Sequence, residues 1–299
     1  MCSEFSKESE YITDNSIDLT ITSPPYDSLR NYNGYIFNET AIIKQLYRIT
    51  KIGGVVVWIV NDEVISGSES GQSFRQALLF KQNGFNIHDT MIYLKNTSSF
   101  PARRDGNRYT QIFEYCFIFS KGKPKTANLI CDKENRWSGW VNWGKKTHRN
   151  KNGDLIETKD IKPVPQFSPR NNVWFYEVGY NYNQLDNSGH KHPAITPFLL
   201  VHDHIISWSN PGDLVLDPMC GSGTSCIAAK LLDRNYIGID ISTEYCELSE
   251  NRLYQTNKQS YQSELNKKLE KENIKKRKQI EILEKLTYEE RSILGFPAK

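Results

Sequence analysis

Two short stretches of the sequence carry residue types that could do chemistry, and the first ends in Ser23-Pro24-Pro25-Tyr26. It follows residues 17–21, where apolar and polar side chains alternate as they do in a strand. Because Pro24 and Pro25 have no N–H to donate and fix their own φ, they predict a stiff, extended backbone with unpaired carbonyls. These carbonyls, the Ser23 hydroxyl and the Tyr26 ring suit a planar group that carries an exocyclic amine. The alternative is an ordinary proline turn at the end of an edge strand.

The second stretch, residues 213–240, has the order strand, glycine turn, helix, strand and acid. Asp217 ends its first strand, Gly221 and Gly223 lie in the turn, and Asp240 ends its second strand. A glycine turn lets a ligand approach the backbone, the helix start offers free N–H groups, and the distant acid suits a ribose diol. Asp217 would repel a pyrophosphate and attract an amino-acid ammonium group. This pattern favours S-adenosylmethionine over NAD, with an ordinary βαβ turn as the alternative.

The elements that position these stretches follow an alternating α/β pattern. Thr40 and Thr196 are the predicted N-caps of two helices, the first of which should end at Gly53-Gly54. Residues 1–16 are short and polar, so we expect little structure there. Further helices are predicted over residues 73–82, 225–232 and 243–254. Further strands are predicted over residues 55–60, 87–94, 113–120, 213–217 and 236–240.

Two irregular, basic regions interrupt this pattern. Residues 96–111 form a loop that is long for a compact domain, and such loops are usually functional. From residue 121 to residue 190 the apolar periodicity fades, while tryptophan, tyrosine, lysine and arginine accumulate. We interpret this second region as an insertion with a small fold of its own.

The composition limits the class of protein. The 299 residues contain 38 basic and 35 acidic side chains, so the distribution of charge is more informative than the net charge of +3. No apolar run approaches the roughly 20 residues that span a bilayer, and the N-terminus has no signal pattern. The six cysteines lack zinc-ligand spacing. We therefore expect a cytoplasmic protein with reduced thiols, no metal and no membrane partner.

Together, the two stretches resemble the amino-directed DNA methyltransferases, which methylate the exocyclic nitrogen of adenine or cytosine. The catalytic motif of that family is Asp, Asn or Ser followed by Pro-Pro and an aromatic residue, as in Ser23-Pro24-Pro25-Tyr26. Its cofactor loop contains a Gly-x-Gly pattern, as in residues 217–224. The motif order, with a variable region between the two, is similar to the permuted β group. One departure is that only about a dozen residues precede the catalytic strand, where the family usually has another strand and an acidic turn.

The resemblance implies an α/β, Rossmann-like, S-adenosylmethionine-dependent methyltransferase fold with a seven-stranded, mostly parallel sheet. Residues 87–94 and 113–120 would supply its antiparallel end. The implied divisions are a catalytic half over 1–124, a target-recognition insertion over 125–190, a cofactor-binding half over 191–256 and a charged helical tail over 257–299.

The resemblance also assigns roles to individual residues. The implied catalytic residues are Ser23, Pro24, Pro25 and Tyr26. The implied cofactor-binding residues are Thr196, Phe198, Asp217, Pro218, Met219, Gly221, Ser222, Gly223, Thr224 and Asp240. The expected DNA-binding residues are Arg103, Arg104, Arg108, Lys145, Lys146 and Arg149.

Double-stranded DNA is the expected partner, and the target base is argued from the first motif residue. In the family, serine at this position goes mainly with N4-cytosine and aspartate with N6-adenine, so Ser23 favours cytosine and adenine is the alternative. C5-cytosine methylation is disfavoured because the chain contains no Pro-Cys. Methylation of RNA or of a protein glutamine, and DNA binding without catalysis, are competing functions. A partner restriction endonuclease, and the choice between monomer and homodimer, are left open.

Overall fold

A computed structural model of the chain describes residues 2, 4–25, 37–96, 108–141, 147–157, 162–178, 195–259, 261–263 and 266. The chain divides into two units, Met1–Leu253 and Tyr254–Lys299. Most of the second unit, and with it the predicted helical tail, lies outside the described residues.

The first unit contains the regular elements. Its helices are α1 Phe5–Glu8, α2 Glu39–Ile49, α3 Gln72–Gln82, α4 Phe198–Trp208, α5 Thr224–Leu231 and α6 Thr243–Gln255, the last of which runs two residues into the second unit. The strands of the main sheet are β1 Ile17–Thr22, β2 Thr50–Val60, β5 Asn86–Lys95, β6 Phe113–Ser120, β11 Val173–Tyr176, β12 Leu214–Asp217 and β13 Asn235–Gly238. Three small pairings join β3 Val64–Ile65 with β4 Ser68–Glu69, β7 Lys133–Glu134 with β10 Phe167–Ser168, and β8 Thr147–Arg149 with β9 Leu155–Glu157.

The main sheet has seven described strands in the order β11-β5-β6-β2-β1-β12-β13. β1 is parallel to β2 on one side and to β12 on the other, β12 is parallel to β13, and β11 is parallel to β5. β6 is antiparallel to both of its neighbours, β2 and β5. The predicted mostly parallel sheet is confirmed. The predicted antiparallel end is wrong in one respect. Because β6 is antiparallel to both β2 and β5, β5 runs in the same direction as β2, and among the described strands of this sheet β6 alone runs the opposite way.

The edge strand β11 comes from the region that we interpreted as an insertion. Its residues pair with β5 from Val173 opposite Ile92 to Tyr176 opposite Lys95. The Trp174 and Tyr176 side chains turn inward, whereas Val173 and Phe175 are exposed, as expected of an edge strand with one covered face. The boundaries of the insertion at 125 and 190 stay predictions, but the segment around β11 belongs to the sheet.

The start of α2 differs from the prediction. Asn38, and not Thr40, is the N-cap, and its side-chain oxygen accepts a hydrogen bond of 3.1 Å from the backbone N–H of Ala41. Asparagine is among the strongest N-cap residues, so its side chain takes this position two residues earlier. The helix ends at Ile49, and the predicted terminator Gly53-Gly54 lies inside β2.

The start of α4 and the N-terminus also differ from the prediction. Pro197 occupies the N-cap position of α4, one residue after Thr196. Residues 5–8 form α1 and a 3₁₀ turn follows at Ser9–Tyr11, because Phe5 and Ile12 bury their side chains in the core. Cys2 forms an isolated parallel bridge with Asp240 beyond the end of β13.

Helices cover both faces of the sheet. One core cluster joins α2 and α3, through side chains such as Leu46 and Phe80, to Trp58 and Phe119 of the sheet. Phe80 and Phe119 stack with their ring centroids 3.9 Å apart. α4 and α5 contact β1 and β12 but contribute no residue to this cluster, which places them on the opposite face. Residues that alternate along a strand, such as Val55 and Val56 of β2, therefore face different helices.

A charged network ties α4 to the edge strand. Asp203 of α4 accepts hydrogen bonds from Arg170 Nη1 at 2.6 Å and Tyr176 OH at 2.8 Å, and its other oxygen lies 2.9 Å from His202 Nδ1. Arg170 also binds Asp132 at 2.7 Å. Burial alone would raise the pKa of Asp203, but the hydrogen bonds from His202, Arg170 and Tyr176 hold it below its usual range. The network therefore keeps a mostly buried carboxylate charged.

Replacing Arg170 with leucine should lower the free energy of unfolding by about 3 kcal/mol, since Asp203 would lose its cationic partner inside the protein. The lowered pKa of Asp203 means that this contribution is present at neutral pH and is lost as the pH falls through that pKa. Urea unfolding at pH 7 measures the change. Arg149→Leu is the control, because the exposed Arg149 bonds to the carbonyl of Gly153 within its own hairpin. Equal losses in the two variants would contradict the role of the network.

Candidate active site

The two predicted motifs follow β1 and β12, two neighbouring strands whose next strands in the chain lie on opposite sides of the pair. From β1 the chain passes through α2 to β2 on one side, and from β12 it passes through α5 to β13 on the other. β1 and β12 are hydrogen-bonded neighbours, with Leu19 opposite Val215 and Thr20 opposite Leu216. Such a switch point opens a crevice at the carboxyl ends of parallel strands, where ligands bind in open α/β sheets. Ser23 and Asp217 both lie at this edge.

The proline motif leaves β1 as extended chain. Ser23, Pro24 and Pro25 follow Thr22 directly, with Pro24 buried and its two neighbours half-buried. The carbonyl of Pro25 accepts a hydrogen bond of 3.1 Å from Nε2 of Gln72. Tyr26, the predicted stacking residue, lies outside the described residues.

Asp217 is a buried acid at the end of β12. Its Oδ1 accepts a hydrogen bond of 3.2 Å from the backbone N–H of Met219. Burial raises the pKa of this carboxyl to about 6, and the hydrogen bond from Met219 opposes part of that shift. An acid held in this way gains from a cationic ligand, because a nearby positive charge offsets the cost of burying the carboxylate.

The predicted cofactor loop, residues 217–224, contains two glycines with left-handed backbone. Gly221 has φ +48° and Gly223 has φ +78°, a region that favours glycine. A Cβ built on Gly223 would lie 2.9 Å from the Cβ of Ser249 on α6, so this glycine allows α5 to begin close to α6. Buried Arg252 of α6 donates to the carbonyl of Ser222. The loop is therefore held from behind by α6.

The other predicted residues of the loop are buried or half-buried. Pro218, Ser222 and Thr224 are buried, and Oγ of Ser222 lies 3.5 Å from Oγ1 of Thr224, the first residue of α5. The half-buried side chain of Met219 packs against the core cluster. At the start of α4, Thr196 is half-buried and Phe198 is buried with its ring centroid 5.9 Å from that of His202.

Asp240 follows β13 and shapes the loop from the other side. Its Oδ2 accepts a hydrogen bond of 2.7 Å from the backbone N–H of Gly221, and its Oδ1 accepts one of 2.9 Å from that of Ser242. Each carboxylate oxygen can accept a further hydrogen bond. Asp240 can therefore hold the glycine loop and bind a ligand hydroxyl at the same time.

The predicted DNA-binding residues fall in three groups. Arg108 donates to the carbonyl of Gly67 and lies 4.0 Å from a carboxylate oxygen of Glu69, so the β3–β4 hairpin engages it. Arg149 lies on the exposed hairpin formed by β8 and β9. The remaining four, Arg103, Arg104, Lys145 and Lys146, lie outside the described residues.

Sequence reasoning missed three residues that support the site, namely Gln72, Asp62 and Arg252. Asp62 follows β2 and accepts hydrogen bonds from the backbone N–H and hydroxyl of Ser73 at 2.9 and 2.5 Å. An acid after a buried strand and a serine before a helix are visible in the sequence, but their pairing depends on the tertiary structure. For Gln72 and Arg252 the sequence offers no distinguishing signal.

Within the described residues, no cluster of histidine, cysteine, aspartate and glutamate could hold a metal ion. None of the helices in the described part of the chain is both long and apolar enough to cross a membrane.

Known families and proteins share this architecture. The DNA methylase family of N6- and N4-specific enzymes matches residues 17–251. The chain is 53% identical over 244 residues to a protein named orphan methyltransferase M.BamHII from Bacillus amyloliquefaciens. This alignment covers 82% of this chain and 91% of that protein. The chain is 29% identical over 265 residues to the type II methyltransferase M.HpaI from Haemophilus parainfluenzae, and this alignment covers 85% of this chain and 73% of that protein.

Solved structures agree with the fold. The cytosine-N4-specific PvuII DNA methyltransferase superimposes with a TM-score of 0.61 at 19% identity and covers 89% of this chain and 90% of its own. The complex of M1.HpyAVI with S-adenosylmethionine superimposes with a TM-score of 0.54 at 23% identity, and the match covers 85% of this chain and 98% of that chain. The predicted Rossmann-like methyltransferase fold is confirmed.

The family match extends from β1 into α6 and contains both the proline motif and the cofactor loop. S-adenosylmethionine, the predicted cofactor, is the methyl donor of this family. The chain belongs to the N6/N4 family of DNA methylases, as its two motifs predicted.

Proposed function

We propose that the protein transfers a methyl group from S-adenosylmethionine to the N4 amine of cytosine in duplex DNA, with the N6 amine of adenine as the alternative. The observation that carries the proposal is the parallel pairing of β1 with β12. This pairing sets Ser23 and the carbonyl of Pro24, which suit an aryl amine, beside Asp217, which suits the ammonium group of the methyl donor.

The residues present fit that donor. Asp217 offers a buried carboxylate for the ammonium group, and Asp240, at the end of the next strand, can accept from the ribose hydroxyls. Neighbouring parallel strands lie about 4.8 Å apart, so the two acids can serve two ends of one nucleoside ligand. S-adenosylmethionine supplies, when bound, a methyl group on a positively charged sulfur. We assign the loop residues 218–224 and the start of α4, with Thr196 and Phe198, to the walls of this pocket.

The proline motif would prepare the target amine. An exocyclic amine on a base is a poor nucleophile because its lone pair is delocalised into the ring. The Ser23 hydroxyl and the Pro24 carbonyl can accept its two N–H bonds away from the ring plane, which leaves the lone pair directed at the methyl group. Tyr26 would stack on the base. Most of the rate would come from this positioning, with no covalent link between enzyme and base.

The choice of cytosine rests on Ser23. Relatives of both kinds match the chain, since PvuII methyltransferase is named as cytosine-N4-specific and YhdJ of Escherichia coli, at 27% identity, is named as an adenine methyltransferase. A serine hydroxyl at the first motif position is the feature of this chain that favours the cytosine assignment.

Duplex DNA would be read by the insertion, and the target base would leave the helix to reach the motif, as in other base-modifying enzymes. Arg149 and the described lysines and arginines of the insertion are candidates for phosphate contacts. Many relatives carry the names of type II methyltransferases, and M.BamHII is named an orphan, so we place this chain in a restriction-modification context without assigning a partner endonuclease.

Base-resolved sequencing of a methylation-free host that expresses the chain tests the proposal. N4-methylcytosine at one recurring sequence is the expected result, and N6-methyladenine would select the alternative. Transfer of radiolabelled methyl groups to duplex DNA, RNA and protein in parallel provides the control for substrate class. Label on RNA or protein alone would contradict the proposal.

Asp217→Asn should weaken S-adenosylmethionine binding at least tenfold while stabilising the cofactor-free protein at pH 8. Because the folded pKa is raised to about 6, the charged carboxylate lowers stability above that pH, by about 3 kcal/mol at most. The advantage of the variant should shrink as the pH falls below 6. Wild-type affinity should fall over the same range, since the protonated acid no longer attracts an ammonium group.

Calorimetric titration and thermal unfolding at pH 5.5 and pH 8 measure both effects. Asp213→Asn is the matched control, because Asp213 precedes the same strand at its other end and binds the backbone N–H of Asn210. Unchanged cofactor affinity in Asp217→Asn at pH 8 would remove Asp217 from the proposed pocket.

Ser23→Ala should reduce single-turnover methylation on the order of 10- to 1,000-fold and leave cofactor affinity unchanged, because one positioned hydrogen bond is lost in the transition state. Tyr26→Ala should weaken capture of the extruded base by about 1–3 kcal/mol, the typical contribution of stacking. Tyr26→Phe should leave the methylation rate nearly unchanged, since we assign the stacking on the base to the face of the ring and not to the hydroxyl. Undiminished chemistry in Ser23→Ala, or a Tyr26→Phe enzyme as impaired as Tyr26→Ala, would overturn these roles.

A further inference from the structure

The proline motif needs support from outside its own backbone. Pro24 and Pro25 have no amide hydrogen, so this segment cannot be fixed by donating to a neighbouring strand. The carbonyl of Pro25 accepts a hydrogen bond of 3.1 Å from Nε2 of Gln72. Gln72 is 2% exposed, which shields this bond from competing water.

Gln72 is itself placed by a buried cap at the start of α3. It is the first residue of that helix and follows Gly71, whose φ of +68° turns the chain sharply. Its backbone N–H donates to Oγ of Ser70 at 3.3 Å. One residue later, Ser73 donates its backbone N–H and its hydroxyl to the two oxygens of buried Asp62. A carboxylate at a helix N-terminus also interacts favourably with the helix dipole.

This cap is anchored next to the catalytic strand. Asp62 lies two residues after β2, and Trp58 of β2 is opposite Thr22 of β1, the residue before Ser23. A chain of contacts therefore runs from β2 through Asp62 and the first turn of α3 to Gln72, and from Gln72 back to Pro25. This chain of contacts starts at β2, in the centre of the sheet, so Gln72 has a defined position relative to β1 and to the motif that follows it.

We propose that Gln72 is a positioning residue of the proline motif, an inference that rests on the proposed function. The ring of Pro25 fixes its φ, so holding the carbonyl of Pro25 also limits the orientation of the preceding peptide unit, which carries the Pro24 carbonyl. Gln72 thus acts through the backbone of Pro25 to hold in place the Pro24 carbonyl, one of the two acceptors that we assign to the target amine.

Gln72→Ala should lower the single-turnover rate of methylation about 10- to 100-fold, as a small misplacement of reacting groups does, while cofactor affinity stays within twofold of wild type. The substrate is a duplex that carries the site found by base-resolved sequencing. Gln76→Ala is the matched control. Gln76 lies one turn further along α3 and is also buried, but its described hydrogen bonds join it to Trp58 at 2.7 Å and Glu39 at 3.1 Å and not to the proline motif itself.

Gln72→Glu separates positioning from simple support of the fold. A charged carboxylate keeps the shape of the side chain but cannot donate to the Pro25 carbonyl, whereas a protonated one can. The rate of Gln72→Glu relative to wild type should therefore rise as the pH is lowered. The ratio of Gln72→Ala to wild type should stay flat over the same pH range.

An undiminished rate in a folded Gln72→Ala protein, or a loss matched by Gln76→Ala, would overturn the inference. These outcomes differ from a failure of the proposed function, in which the wild-type protein itself would not methylate DNA.

Discussion

The site depends on one interaction, the parallel pairing of β1 with β12. The two strands are far apart in sequence, and each is followed by one of the two motifs, the proline motif after β1 and the glycine loop after β12. Parallel pairing places the carboxyl ends of both strands at the same edge, and the reversal of chain direction between them leaves a crevice there. Apolar residues such as Leu19 and Val215, buried between helices, hold the register of this pair.

Three acids follow parallel strands at this edge, and each accepts at least one hydrogen bond from a backbone N–H in a turn, a loop or the first turn of a helix. Asp62 binds Ser73, Asp217 binds Met219, and Asp240 binds Gly221 and Ser242. A carboxylate that accepts from backbone N–H groups forms charge-assisted hydrogen bonds, which are stronger than hydrogen bonds between neutral groups. The three carboxylates thereby hold the turns and loops at this edge in place.

Local patterns in the sequence predicted most of the sheet, because buried strands and glycine turns have strong signals. The patterns failed where a side chain distant in sequence decides the outcome. Phe5 gives structure to the N-terminus by burying its ring, and β11 becomes an edge strand by pairing with β5, although its composition resembles the rest of the insertion. For the candidate site, both motifs were visible in the sequence, and the ligand contacts assigned to their residues stay predictions. The sequence could not indicate Gln72 or Arg252, whose roles exist only through contacts with the backbone of other elements.

The recruitment of β11 joins the predicted target-recognition insertion to the central sheet through the backbone. A segment that ends in a strand of the catalytic sheet cannot rotate freely, and the Arg170–Asp203 pair adds a second attachment to α4. Under the proposed role of the insertion, the DNA sequence that is recognised can change through the residues between β6 and β11, whereas β11 itself must keep its register with β5. In a chimaera that exchanges this region between relatives, the exchanged segment should therefore end before Arg170. The recipient protein then keeps its own Arg170 and β11, and only the region before them is replaced.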